Sequence, residues 1–151
     1  MDPSDLAAWG ADWAWGLPLI VLTVVFHAYG LGLLNQEVIS RLNRSESPRR
    51  FSSPANFIIG ATALAVTILH AIEGAVWAVA YRLLGASANN KSAMLYSLNA
   101  ITSYGHENLN LAGRWQMMGA LEALNGWILF GLTTAFLFTV VQRVWPQPTE
   151  H

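Results

Sequence analysis

Three long apolar segments, separated by two polar stretches, dominate the pattern along the chain. They run from about Leu17 to Val38, from Ala55 to Ala86 and from Gly113 to Val144. Each segment reaches or exceeds the roughly 20 residues that an α-helix needs to cross a bilayer. Pro18, near the start of the first segment, is expected in the first turn of its helix. The pattern predicts an all-α membrane protein with three transmembrane helices.

The polar stretch before the third segment predicts a fourth, shorter helix. Residues 92–102, SAMLYSLNAIT, combine good helix formers with an apolar stripe, and Asn90 or Ser92 is a candidate N-cap. A helix of about 10 to 12 residues is too short to span a bilayer. It leads into a polar turn, Thr102 to Glu107. Because irregular backbone at membrane depth has to be buried in protein or line water, we expect a re-entrant helix beside an aqueous path.

The distribution of charge predicts the orientation of the helices. Residues 40–54 contain four Arg, two Pro and five Ser and are expected to form an exposed loop, and Arg143 ends the third segment. By the positive-inside rule both are cytoplasmic, which places the N-terminus outside and the C-terminus inside. We therefore expect an N-terminal helix and Arg-rich loop over 1–54, a pore module over 55–145 and a cytoplasmic tail over 146–151.

Composition supports membrane insertion and excludes several classes of protein. The chain of 151 residues is 54% hydrophobic and 11% charged, whereas soluble domains average about 25% charged residues. The formal net charge of −1 argues neither for nor against nucleic-acid binding, whereas the lack of Cys excludes disulfides and thiolate sites. The acidic N-terminus lacks the basic region of a secretory signal. The expected location is the inner (plasma) membrane, in several passes.

The residues around the short helix carry a resemblance to a known family. Residues 56–144 resemble the pore module of tetrameric potassium channels, in particular small bacterial channel-like proteins with one extra N-terminal helix. The most specific matches are YSL before the polar turn, LEALNG in the third segment and VVQR at its end. The resemblance implies a homotetramer in the lipid bilayer, a re-entrant pore helix and passive passage of cations.

The turn that corresponds to the selectivity filter departs from the family pattern T-x-G-Y-G-D. An ungapped alignment places these residues over TTLGYGD: Thr102, Ser103, Tyr104, Gly105, His106, Glu107 and Asn108. A one-residue gap instead aligns Tyr104 and Gly105 with YG and His106 with the Asp. In the ungapped alignment fourfold symmetry surrounds the axis with four Glu107 carboxylates, which select cations by charge, and His106 adds a pH dependence. Potassium, sodium and calcium therefore all remain candidate permeant ions.

Ionisable and amide side chains inside the apolar segments predict a polar cluster. His70 and Glu73 lie one turn apart in the second segment, and Glu122 and Asn125 have the same spacing in the third. Because such groups face protein or water inside a membrane, we expect them to gather behind the short helix together with Asn99. The cluster has three candidate roles, namely a structural brace for the filter, a proton or ion sensor, and a metal site of two Glu and one His.

Other small or polar residues allow two interpretations each. Gly126 and Gly131 in the third segment are either close-packing points between helices or a gating hinge. Thr133 and Thr134 either line a cavity below the filter or hydrogen-bond to carbonyls of their own helix. His27 is interpreted as a packed or interfacial residue rather than a ligand.

Enzyme chemistry has no support in the sequence. There is no nucleophile with an adjacent base, no Gly-rich phosphate loop and no metal-ligand motif. We expect no catalysis, no metal and no cofactor beyond permeant cations, and the expected partners are further copies of the chain and lipid, not nucleic acid. Two alternatives to a conducting channel stay open. One is an extracellular turn without a pore, and the other is a non-conducting, channel-like scaffold or sensor.

Overall fold

The computed structural model describes residues 3–44, 53–105 and 109–145, and in these ranges the chain consists of helices and short connections. The elements are α1 (Pro3–Arg44), α2 (Ser53–Leu83), α3 (Asn90–Ile101) and α4 (Gln116–Val144), with a 3₁₀ turn (Gly113–Trp115) before α4. Three stretches are long and apolar enough to cross a membrane: Trp9–Asn43, Asn56–Leu83 and Gly113–Val144. The predicted all-α class with three membrane-length helices is confirmed, and the short helix also forms where it was expected.

The first helix is longer at both ends than the sequence predicted. The prediction began at Leu17, but α1 starts at Pro3 and runs without interruption to Arg44. Pro18 therefore lies inside the helix, where it removes one backbone hydrogen bond, and not in the first turn. The early turns extend because they have packing partners, since Ala11 lies against the main core. Residues 40–44, predicted as loop, also belong to α1, whereas Arg49 and Arg50 lie outside the described residues.

The hydrophobic core lies between the four helices. α1 packs on α4 and α2, and α3 packs on both α2 and α4. The largest buried cluster includes these side chains from α2, α3 and α4: Trp77, Tyr81, Ala93, Tyr96, Met118 and Leu121. Large apolar side chains such as Val25, Leu64 and Phe130 are exposed on the outside of the long helices. Extensive exposed apolar surface of this kind is what a helix facing lipid or another subunit presents.

The N-terminus of α3 is fixed beside the end of α2. Its N-cap is Asn89, not Asn90 or Ser92 as the sequence predicted, and the Asn89 side chain accepts a hydrogen bond from the Ser92 amide at 2.8 Å. Asn90 has a different partner, because its side-chain oxygen accepts from Arg82 Nε at 2.9 Å. The Asn90 side chain therefore serves the contact with Arg82, and Asn89 serves as the cap.

The C-terminus of α3 closes in a Schellman motif. The Ser103 amide donates to the Ala100 carbonyl at 2.9 Å, and the Tyr104 amide donates to the Asn99 carbonyl at 2.9 Å. This pairing requires a left-handed residue after the helix, a position that glycine usually occupies. Here Ser103 takes it, with φ of 55°.

Replacing Asn89 with alanine should weaken the start of α3. The amide of Ser92 would lose its cap, which costs about 1 kcal/mol in typical proteins. We expect a small decrease in the thermal unfolding temperature of the purified protein in detergent. Asn110→Ala is the matched control, since Asn110 is exposed and caps no described helix. Equal decreases for the two variants would argue against the cap.

Candidate functional site

A cavity of about 450 Å³ opens beside the C-terminal end of α3. Its walls come from α2, α4 and the turn after α3. The lining side chains include Thr67, His70, Thr102, Ser103, Trp127 and Phe130. Two of the predicted filter residues and one residue of the predicted polar cluster therefore face the same space.

The end of α3 is packed directly against the backbone of α4 at Gly126. A Cβ atom on Gly126 would overlap the carbonyl oxygen of Ile101, the last residue of α3. Gly126 lies ten residues after Gln116, where α4 begins, which is roughly 15 Å along the helix axis at 1.5 Å per residue. The turn after α3 thus meets the middle portion of a membrane-length helix. Gly131 has no neighbouring atom within 4 Å of its Cβ position, and a hinge at either glycine stays a prediction.

The predicted filter residues that the structure describes, Thr102 to Gly105, lie after the end of α3 and are exposed in a single chain. The Thr102 hydroxyl donates to the Leu98 carbonyl at 2.6 Å, so its side chain is tied to α3. Tyr104 is 84% exposed, and Gly105 has φ of 98°. His106 and Glu107 lie outside the described residues.

Inside the bundle, the histidine–glutamate network connects α1, α2 and α4; its members are His27, His70, Glu73 and Thr133. His27 Nδ1 is 2.8 Å from Glu73 Oε1, and His70 Nδ1 is 3.2 Å from Glu73 Oε2. On the other side of the rings, Thr133 Oγ1 is 3.0 Å from Nε2 of His27 and 3.0 Å from Nε2 of His70. The ring centroids of the two histidines are 5.0 Å apart. Both imidazoles therefore stand between one carboxylate and one hydroxyl.

A second buried network attaches α3 to the long helices. Glu122 is fully buried and accepts hydrogen bonds from the hydroxyl of Tyr81, at 2.5 Å, and from the hydroxyl of Ser97. The Ser97 hydroxyl is also 2.6 Å from the Gly74 carbonyl oxygen, so these two acceptors share one proton. Burial, and then the nearby Glu122 carboxylate, raise the pKa of Tyr96 to about 12, so this α3 side chain is neutral at physiological pH.

The predicted polar cluster is divided among separate hydrogen-bonded groups. His70 and Glu73 belong to the histidine–glutamate network, whereas Glu122 belongs to the network around α3. Asn125 Nδ2 donates to Thr23 Oγ1 at 2.9 Å, which joins α4 to α1. Asn99 is half-buried, and within the described part of the chain its side chain has no hydrogen-bond partner. The sequence placed these polar residues in the bundle interior but did not show which ones pair.

Sequence reasoning missed the partners that complete the networks. His27 is fully buried, as a packed residue would be, but it is also the partner of Glu73. Thr133 bonds to the two histidines, while Thr134 donates to the Phe130 carbonyl of its own helix at 2.8 Å. The sequence did indicate that these residues have partners, because a polar side chain inside an apolar segment needs one. That rule identifies residues that require a partner without identifying the partner.

Comparisons with protein-family models, with curated proteins and with solved structures found no match to this chain. The cavity at the end of α3 and the buried polar networks are therefore the features from which a function has to be inferred.

Proposed function

We propose that the protein is a homotetrameric membrane pore for the passive passage of cations. In this proposal α3 is a re-entrant pore helix, and residues 102–107 of four chains surround the central axis. The observation that carries it is the contact between Ile101 and Gly126, which brings the end of α3 ten residues into the 29-residue helix α4. A polar turn there has to be covered by protein or line water.

The exposure of the turn supports several chains around one axis. Thr102, Ser103 and Tyr104 are all exposed in the isolated chain. Neighbouring copies would cover the apolar surfaces of the long helices and leave the turn facing a shared aqueous path. The resemblance of residues 56–144 to potassium-channel pore modules supports four copies.

The electrostatics of α3 favour a cation at the inner end of this path. The C-terminal end of a helix carries a partial negative charge from its aligned peptide dipoles. In α3 this end lies beside the cavity lined by Thr102 and Ser103. Hydroxyl and carbonyl oxygens are also the groups that replace the hydration shell of a permeating cation. The proposal therefore specifies cations, while potassium, sodium and calcium are distinguished by experiment.

Conduction and assembly are tested together on the purified protein. We expect a tetramer by native mass spectrometry, and channel currents in planar bilayers whose reversal potentials in mixed potassium, sodium and calcium salts follow the cation gradients. A tetramer that carries no current would support the alternative of a channel-like scaffold or sensor. A monomer in several mild detergents and in nanodiscs, without current, would overturn the proposal.

Neutralising Glu107 should change how divalent cations interact with the pore. In a tetramer the Glu107→Gln variant removes four carboxylates from the axis, and acidic rings attract divalent ions most strongly. We expect the calcium concentration needed for block or for half-maximal permeation to rise by at least about tenfold, with monovalent current retained. Glu150→Gln, the same change in the C-terminal tail, is the control. Equal calcium responses in wild type and Glu107→Gln would remove the acidic ring from the proposal.

A further inference from the structure

The histidine–glutamate network has the composition and spacing of a metal site. His27, His70 and Glu73 each offer a ligand atom, and these atoms lie within 4.8 Å of one another. Two imidazole nitrogens and a carboxylate oxygen are a common protein ligand set for Zn²⁺, with bonds of about 2.0–2.2 Å that hold adjacent ligand atoms of a tetrahedron roughly 3.4 Å apart. Here His27 Nδ1 is 2.8 Å from Glu73 Oε1, and His70 Nδ1 is 3.2 Å from Glu73 Oε2, so each nitrogen faces its own oxygen of one carboxylate. We propose that the three side chains bind one divalent transition-metal ion per chain.

One carboxylate oxygen of Glu73 makes no hydrogen bond and is available to a cation. Glu73 is fully buried, and its Oε2 has no hydrogen-bond partner among the described residues. His70 Nδ1 lies 3.2 Å from Oε2 and forms an ion pair with it when the ring is protonated, but the contact is not a hydrogen bond. A buried carboxylate oxygen without a partner is costly. A metal ion held by both atoms satisfies Oε2 without requiring a linear N–H···O geometry.

Counting the protons in the network leads to the same atoms. The Thr133 hydroxyl has one proton and contacts Nε2 of both histidines, so with both rings neutral it can donate to one ring only. If His27 donates from Nδ1 to Glu73, its Nε2 accepts from Thr133 and His70 donates from Nε2. A neutral His70 then presents a bare Nδ1 to Glu73 Oε2. Two acceptors facing each other at 3.2 Å form a binding place for a cation.

Thr133 also holds the rings in position for a metal. A metal-bound histidine usually donates its second N–H to a nearby acceptor, which fixes the tautomer and the ring orientation. When His27 moves its proton from Nδ1 to Nε2, both Nδ1 atoms become available, and the two lone pairs of the Thr133 hydroxyl accept both Nε2 protons. The Thr133 proton then turns to a carbonyl of its own helix, as is common for threonine. The change of tautomer requires no net release of a proton.

An ion can reach the site from the cavity at the end of α3. His27 and Glu73 are fully buried, but the His70 side chain is 28% exposed and lines that cavity. The cavity of about 450 Å³ leaves room for water as a further ligand. The site therefore combines buried ligands with an open side, and its occupancy can be tested whether or not the protein conducts ions.

The test uses Zn²⁺ on the purified full-length protein. The chain contains four histidines, so the His106→Asn/His151→Asn background removes the two that lie outside the network. We expect inductively coupled plasma mass spectrometry to find one Zn²⁺ per chain in this background protein. Its X-ray absorption spectrum should show two imidazole ligands. Binding of no Zn²⁺, or a spectrum with water oxygens only, would show that the network is a hydrogen-bonded brace and would overturn the proposal.

Variants of the network identify the ligands. Glu73→Gln and His27→Gln should weaken Zn²⁺ binding more than about 100-fold, and Thr133→Val, which removes only the partner of the rings, roughly 10- to 100-fold. Glu37→Gln, an exposed glutamate on α1, is the matched control and should leave the affinity unchanged. If Glu73→Gln retains wild-type affinity, the assignment is wrong. Should a variant fail to fold by circular dichroism, the X-ray absorption spectrum of the background protein still decides the ligand set.

Discussion

Gly126→Ala should detach the end of α3 from α4 and lower the stability of the protein by more than about 3 kcal/mol, at the upper end of the cost of overpacking a core. The added methyl group overlaps the carbonyl oxygen of Ile101, and this oxygen belongs to backbone that has little freedom to move. α3 has to shift away from α4, which also displaces Thr102 and Ser103. We expect a large fall in the thermal unfolding temperature in detergent, together with a change in the emission of the neighbouring Trp127.

Gly131→Ala is the matched control on the same helix. Gly131 has open space around its Cβ position, and alanine is favoured over glycine inside a helix by roughly 0.5–1 kcal/mol. The two variants are therefore expected to shift stability in opposite directions. If Gly126→Ala is as stable as Gly131→Ala, the close contact between α3 and α4 is not present in the protein. A loss of current in Gly131→Ala without a loss of stability would instead support a gating hinge at this residue.

Glu122→Ala should have the second-largest effect, because it removes the acceptor that holds α3 to its neighbours. The change leaves a cavity and deprives the Tyr81 hydroxyl of its acceptor, while Ser97 keeps only the Gly74 carbonyl. Lost packing and an unsatisfied buried hydroxyl together cost about 3 kcal/mol or more. Thermal unfolding in detergent measures the loss, and protease sensitivity of the segment around α3 shows where it occurs.

Two further variants separate the hydrogen bonds from general effects of removing a glutamate. Glu37→Ala removes an exposed glutamate from α1, where its ion pair with Arg41 is worth less than about 1 kcal/mol. Glu122→Gln keeps the shape and should fall between wild type and Glu122→Ala, since an amide offers one oxygen in place of two. If Glu122→Ala is as stable as Glu37→Ala, the network does not hold α3.

The depth of α3 connects these predictions to the proposed pore. Asn90 bonds to Arg82 near the end of α2, and Ile101 meets Gly126 well inside α4. The same short helix thus connects two levels of the bundle. Its buried face carries the bond from Ser97 to Glu122, so damage to this network or to Gly126 should reduce conduction by moving the turn after α3. Conduction that persists in a Gly126→Ala protein with detached α3 would contradict that connection.

The sequence alone determined the elements that depend on local composition. Apolar runs of membrane length predicted the three long helices, because an unbroken apolar stretch has few other stable environments. The short helix was found because residues 92–102 favour helix and polar residues follow them. Predictions of where each helix begins and ends were less accurate. Pro18 was placed at the start of α1 because the apolar pattern begins there. The turns before it are helical in the structure and pack through residues such as Ala11, and the apolar pattern gives no sign of that packing.

Tertiary structure alone decided which polar groups meet. The sequence marked His70, Glu73, Glu122 and Asn125 as interior residues, but Glu73 pairs with His27 from 46 residues earlier, and Glu122 pairs with α3. Pairing in a bundle depends on the relative rotation and depth of whole helices, and apolar surfaces fix that arrangement through many small contacts. The same packing sets Gly126 against Ile101 and both imidazoles against one carboxylate. A polar residue in an apolar helix therefore indicates that a partner exists, and only the assembled bundle identifies that partner.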